Sequence, residues 1–403
     1  MRRVLVRAGL WMALFVLPCG LPIGGSGAQQ RAVDFLPRDI DVARLAPDDA
    51  ARLGWSAAGI EAVIDSVRRL SSDSFIIATA GQIVVSVGKL DEPHAIHSAR
   101  KAILSAVVGQ HVGSNDQQIS LDATLESLGI DDTPHPLSPL QKTATVRHLL
   151  KSSSGINHRA AAAEGQDADI DRRLGSEEHR PGTVWAYNNW DYNALTTIFE
   201  QRTGLTVAQA FWSGIAEPLG MANHTVALSS YMADSALSKH RAAMFRLSGR
   251  EFGKLAQLYL DKGRSSDRQV IASSWIDRIT DEQVATGIKG LRAGHGYLWW
   301  VPSEEETGLP LGTFFAWGFG NQAAFVIPKW DTIVVHQADT KEAIRRWFGL
   351  MGQGLESSAA LEKLVVDCFR PDQVTSEFCI EHRLIGSREF ARLIQKVVDA
   401  RRR

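Results

Sequence analysis

Residues 98–112, SARKAILSAVVGQHV, decide how the rest of the chain is read. Ile103, Val107 and His111, with Leu104 and Val108 beside them, recur at helical spacing and predict a helix that starts at Ser98. Ser98 and Lys101 then share one face of its first turn. A serine hydroxyl is a weak nucleophile until a base takes its proton. Lysine serves as that base when neutral, and burial together with the positive end of a helix dipole pushes a lysine in that direction. The serine's own N–H points out of the helix start, ready to donate to an oxyanion. S-x-x-K alone is a weak pattern, because a capping serine followed by a solvated lysine has the same letters. A second copy, Ser86-Val-Gly-Lys89, lies in the β-rich run IVVSVGK, where residues three apart point to opposite faces and the two side chains cannot meet.

Downstream, RPGTVWAYNNWDYNALTTIFEQRTG (180–204) brings Tyr187 and Asn189 just ahead of a second helical pattern. A tyrosine hydroxyl can pass a proton between a serine, a lysine and a leaving group. An asparagine two residues on can donate to a substrate carbonyl and accept from its amide. Other common signatures are absent: there is no G-x-S-x-G elbow, no H-E-x-x-H, no Walker A loop and no paired C-x-x-C. Their absence removes the usual α/β-hydrolases, zinc peptidases and P-loop enzymes.

Outward from these motifs, SAAGIEAVIDSVRRL (56–70) predicts a surface helix capped by Ser56, and SFIIATAGQIVVSVGKL predicts a hairpin around Ala80-Gly81. Residues 98–290 read as mostly helical, with no long strand. Strand signals return in HGYLWWVP, GTFFAWGF, NQAAFVIP and DTIVVHQ, followed by helices at about 341–355 and 387–402. Strands at both ends with helices between them predict one antiparallel sheet built from the two ends of the chain, with a helical insertion at about 112–290 and the site at the junction. The polar loop 160–182 is long for a connection, and reads either as a partial cover over the site or as a mobile segment.

The composition is that of an ordinary globular protein: 403 residues, 44% hydrophobic and 22% charged, with 44 Lys+Arg against 45 Asp+Glu. That balance gives no electrostatic reason to expect nucleic acid or an anionic membrane as a partner. Arg2, Arg3 and Arg7 precede an apolar run from Ala8 to Leu17, and small residues follow to Ala28. This predicts a signal peptide over residues 1–28, and hence a periplasmic or secreted protein with no stable membrane partner. Of three cysteines, Cys368 and Cys379 would then remain, in an oxidising compartment, which predicts a disulfide closing a short loop in the segment 367–403. His94, His97, His111 and His148 read as packed or surface residues. Trp185, Trp190, Trp299, Trp300 and Trp317 divide between core and pocket wall.

Taken together, the Ser98 helix, ISLDATLESLGI (119–130), TVRHLLKSSSGI (145–156), PGTVWAYNN (181–189), EPLGM (217–221), GREFGKLAQLYLDKG (249–263), GYLWW (296–300) and WGFGNQAAFVIP (317–328) resemble the serine β-lactamases and penicillin-binding proteins. Within them the similarity is greatest to the class C-like branch that holds esterases, D-amino-peptidases and 6-aminohexanoate-dimer hydrolases. The resemblance implies an α+β (α/β) fold, a mixed sheet flanked by helices beside the inserted helical domain, over residues 29–366. It also implies acyl transfer through a serine ester with no cofactor and no metal. By position Ser98 matches the nucleophile, Lys101 and Tyr187 the general base and proton shuttle, and Asn189 the substrate-binding asparagine. The third family element, normally Lys-Thr-Gly or His-x-Gly, corresponds here to Phe319-Gly320-Asn321-Gln322, with Trp317 beside it. Gly320 would let a substrate backbone approach, and the Gln322 N–H would face that of Ser98 across the oxyanion.

The expected activity is therefore cleavage of an ester, amide or short peptide through a Ser98 acyl-enzyme. A D-alanyl peptidase or β-lactamase is the narrower alternative, and a non-catalytic sensor of a wall ligand the other. Phe319 supplies no cation for a substrate carboxylate, so neutral substrates are expected to be preferred unless the fold brings in an arginine such as Arg292.

Overall fold

Ala80 and Gly81 join the strands Ser74–Thr79 (β2) and Gln82–Gly88 (β3). Both turn residues have positive φ, 49° and 72°, the pair that a tight hairpin turn requires. The computed structural model containing this hairpin describes residues 41–70, 72–112, 118–162, 167–222, 225–341 and 385–401. The predicted signal peptide, the 341–355 helix beyond its first residue, Cys368 and Cys379 lie outside the described residues.

Val42–Arg44 (β1) adds to the free side of β3, while β2 pairs with Thr332–Gln337 (β14), Thr79 opposite Thr332 and Ser74 opposite Gln337. The sheet continues through Gln322–Ile327 (β13), Phe314–Gly318 (β12), Trp299–Val301 (β11), Gly294–Gly296 (β10) and Val284–Ala285 (β9). Among the described residues these nine strands pair only in antiparallel fashion, so the α+β class holds with an antiparallel rather than a mixed sheet. The two ends of the chain meet at β2 and β14, as the distribution of strand signals predicts.

Every residue of β2, β13 and β14 is buried, because helices cover both faces. Ile333 and Val335 lie against Gly253 of the helix Gly249–Leu260. On the opposite face, Phe390 of the helix Ser387–Ala400 packs at 5.2 Å from His336 and 6.3 Å from Phe325. Ser56 caps the helix Ala57–Arg69 by accepting from the Gly59 N–H at 2.9 Å. Gly59 is also where this helix meets the last one, since a Cβ there would lie 2.4 Å from Ala400 Cα. The last helix, read from sequence as part of a C-terminal extension, thus forms part of the core's cover.

The middle of the chain is not wholly helical. Ser238–Leu247 (β6) is a ten-residue strand between His94–Ala95 (β4) and Ser229–Asp234 (β5), and Arg264–Ser265 (β7) pairs with Arg268–Gln269 (β8). In β6 the buried Ser238 and His240 alternate with the exposed Lys239 and Arg241, so the polar sequence SKHR hid a strand whose inward positions are themselves polar. His240 Nδ1 is 2.8 Å from Thr197 Oγ1 and its Nε2 is 3.0 Å from the Asp131 carbonyl, which satisfies the buried ring.

Candidate active site

After β4 the chain makes a 3₁₀ turn, His97–Ala99, before the helix Arg100–Gln110. Ser98 lies in that turn rather than in the helix proper. The turn's own bonds run from Ala99 N–H to the Ile96 carbonyl and from Arg100 N–H to the His97 carbonyl, leaving the Ser98 N–H outside them. His97 is held at φ 46°, a strained conformation for a non-glycine residue. Its Nε2 lies 2.7 Å from Thr340 Oγ1 and its ring is edge-on to Phe319 at 5.4 Å. Packed from both sides, His97 locks the turn that presents Ser98.

Lys101 is 2% exposed and its Nζ donates to Ser98 Oγ at 2.8 Å. The same Nζ sits 4.7 Å from the centroid of the Tyr187 ring and 4.6 Å from that of Tyr192. Tyr187, far away in sequence, thus joins Ser98 and Lys101 in one cluster. Tyr187 precedes the helix Asn189–Thr203, whose N-cap, Asn188, accepts from Trp190 N–H at 3.0 Å and donates to the Ile156 carbonyl at 2.6 Å. Asn189 is buried at that helix's first position. The second S-x-x-K copy is separated, as its strand position predicts: Ser86 is buried in β3, while exposed Lys89 pairs with Glu92 at 3.3 Å.

Beneath the lysine lie three residues that sequence reasoning did not single out. Tyr192 OH and Ser152 Oγ are 2.6 Å apart, and His295 Nδ1 is 3.5 Å from the same Ser152 oxygen. Burial and the nearby Lys101 charge push the His295 pKa down to about 3, so the ring is neutral. Burial drives the Tyr192 hydroxyl well above its ordinary value, which keeps it protonated. Lys101 therefore faces neutral groups on this side. Tyr192 follows Tyr187 by five residues and Ser152 falls in the quoted SSSGI run, so both carried a positional signal; His295, in AGHGYLWW, carried none.

The third motif is displaced from its expected position. A Cβ on Gly318, the last residue of β12, would lie 2.3 Å from the Ile96 carbonyl oxygen, 2.9 Å from Ala99 N and 3.1 Å from Ser98 N. Gly318 is therefore the glycine that lets the strand approach the serine. A Cβ on Gly320 would instead meet Thr340 Cγ2 at 2.4 Å, and the buried Gln322 donates its Nε2 to the Ala338 carbonyl at 2.6 Å. The repeated glycines of WGFG made the two-residue offset invisible in sequence. Trp317 Nε1 donates to Asn321 Oδ1 at 2.9 Å.

Trp300 stacks on Tyr187 at 5.2 Å with 21° between the planes, and packs edge-on to Trp185 at 5.8 Å and Trp317 at 6.4 Å. These three tryptophans form one aromatic cluster beside Tyr187, with Trp185 and Trp300 buried and Trp317 half-buried, while Trp190 and Trp299 are fully buried in the core. Arg173 lies not in a loop but on the helix Asp167–Leu174, which the polar sequence of 160–182 hid, and it sits 4.7 Å over Trp185, so this stretch reaches the tryptophan cluster. Arg292 lies 4.9 Å from the Trp317 ring centroid and 5.7 Å from that of Trp300. Burial pushes its pKa down, opposed by Asp169 and Tyr187, and the guanidinium stays charged. No group of three or more His, Cys, Asp or Glu with metal-binding geometry occurs among the described residues.

The β-lactamase family model matches residues 60–344, well over half of the chain, and the protein belongs to that family. Among solved structures, SurE is 17% identical with a TM-score of 0.54, covering 76% of either chain. A penicillin-binding protein homologue from Caulobacter crescentus is 16% identical with a TM-score of 0.50, covering 74% of this chain and 94% of that one. A penicillin-binding protein from Bacillus halodurans is 14% identical with a TM-score of 0.50, covering 69% and 94%. At these identities the likeness is one of fold. No curated protein sequence matches the chain.

Proposed function

We propose that this protein is an exported serine hydrolase that cleaves an ester or amide bond through an acyl-enzyme on Ser98. The observation that carries the reading is the 2.8 Å hydrogen bond from the buried Lys101 Nζ to Ser98 Oγ, beside the Tyr187 ring. Lys101 and Tyr187 take the proton as Ser98 Oγ attacks the substrate carbonyl. The tetrahedral oxyanion accepts from the Ser98 N–H and from the backbone that follows Gly318. Collapse breaks the bond to the leaving alcohol or amine, which receives the proton through the same pair. Water, deprotonated by that pair, then attacks the acyl-serine; the ester bond to Ser98 Oγ breaks, Oγ takes the proton back from the pair, and the acid is released. Asn189 serves the substrate's amide or carbonyl, and the Trp185, Trp300 and Trp317 cluster its apolar part. The charged, apolar and small-residue pattern of residues 1–28 supports export.

A fluorophosphonate probe tests the reading. It should modify the peptide carrying Ser98, and Ser98→Ala should abolish labelling and lower ester turnover at least about a thousandfold without unfolding the protein. Labelling elsewhere, or unaltered turnover in the variant, would overturn it.

A further inference from the structure

We propose that Tyr297 is a positioning residue for the Tyr187 proton shuttle: it holds a strained hairpin turn that presses Trp300 against the Tyr187 ring. This rests on the Ser98 reading and deepens it by naming what fixes the shuttle in place. In the β10–β11 pair Gly296 faces Trp299, so Tyr297 and Leu298 alone make the turn. Their φ values are 45° and 74°. Two successive positive φ angles mark a type I′ turn, which favours Asn-Gly and strains side chains as large as tyrosine and leucine. Nor does the turn face water, since Tyr297 is 0% exposed and Leu298 3%. A buried backbone of that shape persists only where its surroundings hold it.

One segment, residues 147–152, supplies that hold. Arg147 Nη1 donates to the Tyr297 hydroxyl at 2.9 Å, the Leu150 carbonyl accepts from the Leu298 N–H at 3.1 Å, and Ser152 Oγ lies 3.5 Å from His295 Nδ1. The Tyr297 hydroxyl in turn donates to Glu282 Oε2 at 2.7 Å, the same oxygen that accepts from Arg147 Nη1 at 2.6 Å. Burial and this carboxylate push the Tyr297 pKa up to about 12, which keeps the donated proton in place. Its ring packs edge-on to Trp275 at 5.0 Å. On the strands joined by the turn, His295 and Trp300 are register partners with their rings 5.1 Å apart. Trp300 stacks on Tyr187 at 5.2 Å, the Tyr187 ring centroid lies 4.7 Å from Lys101 Nζ, and that nitrogen donates to Ser98 Oγ at 2.8 Å. The line of contact from the turn to the nucleophile is therefore unbroken. Without the hydroxyl, the turn can relax toward negative φ, the two strands shift, and the Trp300 face leaves Tyr187.

Tyr297→Phe removes the tether and keeps the ring. On a neutral 4-nitrophenyl ester its kcat and kcat/KM should fall together, about tenfold, with KM within about twofold, because the loss lies in proton transfer rather than in binding. Adding Leu298→Gly, which makes a positive φ easy at the second turn position, should restore most of that kcat although it removes a buried side chain. Glu282→Gln, which leaves both turn residues in place, should show the same pattern at about threefold. A kcat within about twofold of the parent in Tyr297→Phe, a loss confined to KM, or no recovery on adding Leu298→Gly would overturn the assignment. A second measurement needs no turnover: the near-UV circular dichroism that Trp300 contributes, taken in Ser98→Ala protein as the difference between each variant and its Trp300→Phe counterpart. That band should shrink in Tyr297→Phe and return with Leu298→Gly, and an unchanged band in Tyr297→Phe sinks the positioning role whatever the rates. A parent without Ser98-dependent turnover whose Trp300 band still follows the turn sinks the acyl-enzyme and keeps the turn's hold on Trp300. Ser98-dependent turnover, with a rate and a band that both ignore Tyr297→Phe, sinks the positioning role and keeps the acyl-enzyme.

Discussion

Replacing Gly318 with alanine probes the close approach between β12 and the turn that carries Ser98. At φ −140° and ψ 167° the backbone accepts any residue, so only the new methyl group matters. It would fall 2.3 Å from the Ile96 carbonyl oxygen, 2.9 Å from Ala99 N and 3.1 Å from Ser98 N, all main-chain atoms that cannot rotate away. Restoring an ordinary contact requires the strand and the turn to separate by about 1 Å, and a misplacement of that size near reacting atoms costs about a hundredfold in rate. The overpacking itself should cost about 1–3 kcal/mol of stability. Turnover of a neutral 4-nitrophenyl ester, measured beside urea unfolding, reads both effects. Gly81→Ala is the control: φ is 72° there and no atom lies within 4 Å of the added Cβ, so it should lose stability and keep its activity. A Gly318→Ala enzyme within threefold of the parent kcat/KM would refute the claim that this contact sets the catalytic geometry.

Stability should fall in mild acid. Burial, joined at His295 by the Lys101 charge, holds His295 at about 3 and His336 at about 4, against 6.5 for a free histidine. The unfolded chain takes up these protons first, so stability is complete above about pH 6.5 and declines below it by about 1.4 kcal/mol per pH unit for each ring until its folded pKa is reached. Urea midpoints from pH 7.5 to 5 should show this slope, and a flat profile would exclude it. Asp132 is buried and accepts from Trp190 Nε1 at 2.6 Å, Thr133 N–H at 2.7 Å, and Ser238 Oγ and Lys239 N–H at 3.0 Å. Asp132→Ala strands these donors and should cost roughly 3–5 kcal/mol, with a loss under 1 kcal/mol counting against the network. Cys368 and Cys379 should be bonded in exported protein and contribute roughly 2–3 kcal/mol; two alkylatable thiols after denaturation would rule the bond out.

What could be read from sequence was whatever depended on local spacing. The hairpin at Ala80-Gly81, the Ser56 cap and the Ser98–Lys101 face each follow from residues within one turn of one another. Tyr187 was picked out by its chemistry as a proton carrier and by the resemblance, since nothing in local spacing places its ring against Lys101. The start of β6 was missed because its first buried positions, Ser238 and His240, are polar, which cancels the alternation that marks a strand. The third motif was misplaced by two residues because Gly318 and Gly320 are equivalent as letters, while only one of them points its absent Cβ at Ser98. His295 and Ser152 were missed because a neutral, buried polar pair around a lysine is a property of the assembled core.

The pairing of β2 with β14 has a consequence for when the protein becomes active. Ser74 Oγ donates to Gln337 Oε1 across a separation of 263 residues, and the helix that begins at Ser387 closes the sheet behind them. Gly318, which frames Ser98, sits on a neighbouring hairpin of the same sheet. Such long-range pairing forms late, after its loop-closure entropy has been met. A chain whose C-terminal part has yet to fold thus holds Ser98 and Lys101 on one turn but has no strand to complete the site beside them, and the finished arrangement waits on its last strands and the helix that covers them.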